Sequence, residues 1–255
     1  MSGFLTDTVV MSSRNLRRTL RLPEMVVFAT IQPVMFVVLF RYVFGGAIDT
    51  GDTSYVNFLM AGIFVQTITF GSFGTAIGLA TDLQNGVVDR FRSLPMRHGA
   101  VVLGRIVNDM AISTLSMIVM IIVGVLVGFR PEGSPVELAT GFALILLISF
   151  TFSWIGAVIG LSLRSVEAVN SVGFIWMFPL TFVSSAFVPV HTMPSWLRGF
   201  ATYQPFTRMV DAVRALSLDQ PSTDHVRAAV LWCVGILVVM VPLAMRQFRT
   251  AASRP

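Results

Sequence analysis

The chain has 255 residues, 55% of them hydrophobic and only 12% charged, with a net charge of +5 and a mean hydropathy of +0.78. A soluble domain carries about 25% charged residues, so this deficit excludes an ordinary water-soluble fold and makes lipid the solvent. All 18 basic residues are Arg; the absence of Lys excludes a standard Walker A nucleotide site and Schiff-base chemistry, and the single Cys233 excludes an internal disulfide framework.

Residues 1–24, "MSGFLTDTVVMSSRNLRRTLRLPE", lack the apolar core and cleavage site of a signal peptide. They read as an amphipathic interfacial helix, with Phe4, Val9, Leu16 and Leu20 toward lipid and Arg14, Arg17, Arg18 and Arg21 toward headgroups; the alternative is a solvated basic tail. Six stretches then reach the roughly 20 apolar residues that cross a bilayer: 25–44, 58–80, 106–128, 136–163, 168–188 and 228–245. With no internal repeat, they read as one all-α membrane domain, 1–255.

Arginine placement sets the orientation. With a cytoplasmic N-terminus, that side receives Arg14, Arg17, Arg18, Arg21, Arg90, Arg92, Arg97, Arg105, Arg164, Arg246, Arg249 and Arg254. Both termini are then cytoplasmic, and "GGAIDTGDTSYVN" and "RPEGSPVE" are external, with Asp49 and Asp52 solvated around a "TG" turn. Positive charge dispersed between spans reports orientation, not a nucleic-acid partner. The all-Arg basic set and the Ala, Val and Gly richness point to a GC-rich bacterial genome.

Within the spans, Gly74 and Gly78, Gly124 and Gly128, and Gly156 and Gly160 are spaced for close helix contact, inside the chain or with a second copy. Gln32, Gln66, Thr67, Thr69 and Asn170 read as interhelical hydrogen-bonding groups. Arg105 and Asp109 fall near the cytoplasmic end of the third span, one turn apart, where they can pair. No charge is expected near the middle of any span, which argues against an ion-coupled secondary transporter, and no charged ring or filter marks a channel. No HExxH, GxSxG or acidic cluster supports an enzyme. His98, His191 and His225 stand alone, so no metal is expected.

The segment 82–95 interrupts the apolar half of the chain. Leu83, Val87, Phe91 and Leu94 share one helical face, Asp89, Arg90 and Arg92 take the rest, Asp82 fits an N-cap and Pro95 ends the helix. From the residues alone this is a cytoplasmic amphipathic helix, resting on lipid or on another protein. The second unusual region, 189–216, is broken by Pro189, Pro194 and Pro205 and carries Trp196, Phe200, Tyr203 and Phe206. It reads as an external loop anchored at headgroups or as a broken helix at membrane depth.

Two motifs carry a resemblance. "NGVVDRFRSLPMRHGAVVLGR" is similar to the loop between spans two and three of type-2 ATP-binding-cassette (ABC) exporter permeases. It is closest to the daunorubicin-resistance branch, with Gly86, Asp89, Arg90, Ser93, Leu94 and Pro95 matching and Gln84 where an acidic residue often falls. "SSAFVPVHTMPSWLRGFATYQPFTRMVDAVRAL" resembles that branch's loop before the last span, matching at Pro189, Met193, Pro194, Trp196, Leu197, Gln204, Pro205, Asp211, Ala212 and Arg214.

The resemblance implies a permease subunit of an ATP-driven exporter in the bacterial cytoplasmic membrane. It implies two ATPase copies that bind ATP and Mg, a second permease chain, identical or related, and no cofactor on this chain. Gly86, Asp89, Arg90, Phe91, Ser93, Leu94 and Pro95 would form the helix coupled to the ATPase. Pro189, Met193, Pro194, Trp196, Gln204 and Pro205 would build a re-entrant external gate. Cargo would be hydrophobic or amphipathic, with Gln66, Thr69, Phe70, Asn170 and Phe174 as candidate pathway lining.

Overall fold

The computed structural model describes residues 12–13, 23–46, 48, 50, 53–86, 98–163 and 165–251, with backbone alone for 23–30, 98 and 251. Every regular element among them is helical: α1 (Pro23–Leu39) running into a π-helical turn (Phe40–Phe44), α2 (Tyr55–Gln84), α3 (His98–Val127), α4 (Pro135–Ser162), α5 (Val166–Phe182), α6 (Ser195–Tyr203), α7 (Pro205–Ser217) and α8 (Thr223–Ala251), with a 3-10 turn at Val190–Thr192. α2, α3, α4 and α8 are long and apolar enough to cross a membrane, and Ile31–Phe44 and α5 are shorter apolar helices. Of the expected N-terminal helix only Ser12 and Ser13 are described, both helical, and Asp49 and Asp52 lie outside the described residues.

α2 is the central post, packed on α1, α3, α4, α5 and α7. Leu59, Met60, Ile63, Phe152 and Phe206 fill one core around its first half, and Leu79, Val102, Ile106, Trp154 and Phe248 fill another around its second. Outward faces are apolar: Ile122 and Leu126 on α3, Ile175 on α5 and Val238 on α8 are exposed, as a lipid solvent requires.

Helix ends depart from the apolar stretches for local reasons. α3 begins at His98, not near 106, because Val102 and Ile106 bury against the second core. α5 stops at Phe182, where Thr181 and Ser184 turn their hydroxyls onto backbone carbonyls. The chain beyond it then crosses α2 so closely that a Cβ on Gly62 would lie 2.2 Å from the Ala186 carbonyl oxygen. α2 runs through Asp82 and Leu83 and ends at Asn85, with Gly86 at φ +64°. Asp82 therefore closes α2 and does not N-cap a new helix.

The three glycine pairs serve three purposes. A Cβ on Gly156 or Gly160 would stand 2.4 Å from Ser72 O or 2.3 Å from Ala76 O, so this pair lets the α4 and α2 backbones touch. Gly74 and Gly78 instead receive side chains, Asp109 and Arg105 of α3. Gly124 seats the Met60 side chain, while Gly128, at φ +109°, ends α3. Only one of the pairs is a backbone-to-backbone seam.

Candidate functional site

A cavity of about 440 Å³ opens between α1, α2, α3 and α5. Phe36, Phe70, Phe73 and Phe174 form its apolar wall, with Phe73 and Phe174 stacked at 5.6 Å between ring centroids. Gln32, Gln66, Thr67 and Asn170 also line it, and among the described residues no hydrogen bond ties Gln66 or Asn170 to a neighbouring helix. The expectation that these groups bridge helices fails: they face open space.

The opposite wall is polar and belongs to α3. Arg105, Asn108 and Asp109 share one helical face. Asp109 is buried and accepts from Thr75 Oγ1 and, at 3.1 Å, from Asn108 Nδ2. The Arg105 guanidinium does not pair with it, donating instead to the Gly74 carbonyl at 3.1 Å. Two expectations are thereby corrected. The residues do not form an ion pair, and Asp109, twelfth in a thirty-residue helix, sits within the body of a span and not at its end. The reason is the same in both cases: α3 starts earlier than its apolar run, and the missing side chains at Gly74 and Gly78 leave room for polar groups on α2.

The end of the molecule at the α2 N-terminus is closed by α6, α7 and the segment 183–194. Arg214 of α7 is buried and acts as the rivet. It donates to Phe58 O at 3.1 Å, to Asp211 Oδ1 at 2.9 Å and to Ser185 O, and stacks on the Phe58 ring at 3.8 Å. Burial pushes its guanidinium down to about 10, with Asp211 pulling the other way, so it stays charged at neutral pH. Asp211 also accepts from Ser185 Oγ at 2.6 Å, and Tyr55 OH donates to Phe187 O at 3.2 Å.

Comparison with known proteins decides the class. The profile of the ABC-2 type transporter family matches residues 6–218. The chain belongs to the ABC-2 type transporter family. It is 29% identical over 227 residues to the daunorubicin resistance ABC transporter permease protein DrrB1 of Streptomyces coeruleorubidus, covering 89% of this chain and 80% of that one. It is 24% identical over 248 residues to the probable doxorubicin resistance ABC transporter permease protein DrrC of Mycobacterium tuberculosis, covering 95% and 88%. The putative transport permease ycf38 of Cyanophora paradoxa is 27% identical over 220 residues, covering 84% and 74%. The chain is thus a multi-pass membrane permease subunit of an ABC exporter, and its kind works with an ATPase partner.

In this ABC-2 permease the residues singled out by sequence fall in three places. Gly86 is the left-handed glycine after α2, and Asp89, Arg90, Phe91, Ser93, Leu94 and Pro95 lie outside the described residues. Gln66, Phe70, Asn170 and Phe174 line the cavity, whereas Thr69 is buried away from it, its hydroxyl without a partner among the described residues. Pro189 precedes the 3-10 turn, Met193 follows it, Pro194 caps α6 and Pro205 opens α7. Trp196 is 79% exposed. Gln204 is buried between the two helices, donating to Leu180 O at 3.0 Å and Val183 O at 3.1 Å while accepting from Phe206 N at 3.0 Å.

Sequence reasoning missed the polar wall and gave Arg214 no role beyond a motif match. The signal for the first was the Arg105, Asn108 and Asp109 spacing opposite a Gly74 and Gly78 notch. For the second it was an Arg and an Asp three residues apart in an otherwise apolar helix.

Proposed function

We propose that the ABC-2 permease crosses a bacterial cytoplasmic membrane six times with both termini in the cytoplasm. Two permease chains, identical or related, work with two ATPase copies that bind ATP and Mg, and this chain carries no cofactor. The transported molecule is hydrophobic or amphipathic, a drug or a lipid-like compound. It occupies the cavity between α1, α2, α3 and α5, which is the observation that carries this reading: the space is apolar on one side, polar on the other, and lies in the body of apolar helices. Residues 82–95 transmit the ATPase stroke, with Phe91 and Leu94 as anchors and Arg90 and Asp89 setting register. The α6–α7 region forms the external gate, dipping into the outer leaflet.

The first test is purification of the tagged chain from native membranes with mass spectrometry of what accompanies it. A stoichiometric P-loop ATPase supports the assembly, and the presence or absence of a second permease decides between heterodimer and homodimer. Phe91→Asp and Arg90→Glu are expected to leave the chain inserted while abolishing ATPase association and ATP-driven transport. Full transport by both variants would remove the coupling role from this segment.

A further inference from the structure

The polar wall of the cavity carries both donors and acceptors that the described residues leave without partners. Asn108 is 3% exposed; its amide nitrogen donates to Asp109, but its Oδ1 has no donor. Among the described residues Asp109 accepts from Thr75 and Asn108, two neutral groups, although an ionised carboxylate takes about four hydrogen bonds. One turn away, Arg105 commits Nη2 to the Gly74 carbonyl, and its buried Nε–H finds no acceptor. Buried polar groups are seldom left this way, because each unpaired group carries a desolvation penalty. Three such residues at i, i+3 and i+4 on the wall of one cavity describe a complement.

That complement both donates and accepts. It donates to Asn108 Oδ1 and to the free lone pairs of Asp109, and accepts from Arg105 Nε. A hydroxyl group does both; an ether or ester oxygen accepts only, and an ammonium donates only. Across the cavity stand Phe36, Phe70, Phe73 and Phe174, which suit a flat apolar body. On the reading of this cavity as the cargo site, we infer that Arg105, Asn108 and Asp109 are specificity-determining residues that select an amphipathic molecule by a hydroxyl-bearing head. The glycines are part of the device, since a Cβ at position 74 would lie 3.2 Å from Asp109 Oδ2 and one at position 78 would lie 1.8 Å from Arg105 Cζ.

The test uses the full chain in lipid nanodiscs and two dansyl amides that share one alkyl linker, one ending in a hydroxyl and the other in its methyl ether. Binding is read from dansyl fluorescence, with empty nanodiscs as the blank for lipid partitioning. The hydroxyl probe is expected to bind about tenfold more tightly, the factor that follows from leaving a buried acceptor unpaired. Asn108→Ala is expected to erase that difference, while Phe174→Leu weakens both probes alike. Equal affinity of the two probes for the unmodified chain overturns the inference and needs no variant to fold. A preference that survives in Asn108→Ala also overturns it. ATP-driven uptake of either probe in vesicles with the partner ATPase is measured separately: a hydroxyl preference without uptake counts against the cargo-site reading and leaves the head-selecting site standing.

Discussion

Arg214 shows what one charge does in an apolar protein. Its guanidinium reaches α2 through Phe58, the post-α5 segment through Ser185 and its own helix through Asp211. Arg214→Ala leaves Asp211 without its cation and two carbonyls without a donor, a loss of about 3–5 kcal/mol for breaking a buried pair. A large fall in thermal midpoint in detergent is the expected outcome, with Arg214→Lys intermediate because one ammonium cannot reproduce the planar fork. Glycines give a sharper contrast. Gly160→Val forces a side chain onto the Ala76 carbonyl and is expected to cost about 1–3 kcal/mol or more by overpacking. At Gly199 an added Cβ would meet nothing within 4 Å, so Gly199→Ala is expected to bring no loss. Paired melting curves check both.

At the scale of elements, helix ends decide where function sits. α4 opens with a capping box in which Ser134 Oγ accepts from Glu137 N, and Glu137 Oε2 accepts from Ser134 N at 2.8 Å. Ser134→Ala is expected to lower stability by about 1 kcal/mol, measured as a shift in thermal midpoint, without changing transport. Gln204 plays a different part, because its amide ties the start of α7 to the end of α5. Gln204→Leu strands the Leu180 and Val183 carbonyls, at about 1–3 kcal/mol for each buried unpaired group. The expected readout is faster proteolysis confined to residues 183–204, with the α2–α4 seam intact. Uniform cleavage along the chain would show that Gln204 is not a local tie.

For the whole molecule, the described helices place α2 at the centre with the cavity on its α1, α3 and α5 side and the Arg214 rivet near its N-terminus. Cysteine labelling tests the orientation proposed for this arrangement. Cys233 is fully buried, so a Cys233→Ala background is expected to fold and to stay silent. In it, Asp219→Cys is expected to react with a membrane-impermeant maleimide from outside intact cells, whereas Gln84→Cys reacts only after permeabilisation. The reverse pattern would invert the topology and place the cavity's polar wall nearer the external face.

Composition and periodicity carried the class of this protein a long way. Apolar run length announced six helical stretches, the missing Lys ruled out a nucleotide site, and two loop motifs pointed to the permease family that the match over residues 6–218 then established. These properties are legible in sequence because lipid imposes long apolar runs and because motifs are contiguous in the chain. What the tertiary structure alone decided is pairwise. Gly74 and Gly78 look like Gly156 and Gly160 until α3 places Asp109 and Arg105 upon them. Asp109 looks like an end-of-span charge until α3 starts at His98 and Thr75 of α2 meets it. Arg214 becomes a rivet only when Phe58, far away in the chain, turns its carbonyl toward it. A notch, an unpartnered acceptor and a cavity are relations between helices, and no single helix sequence contains them.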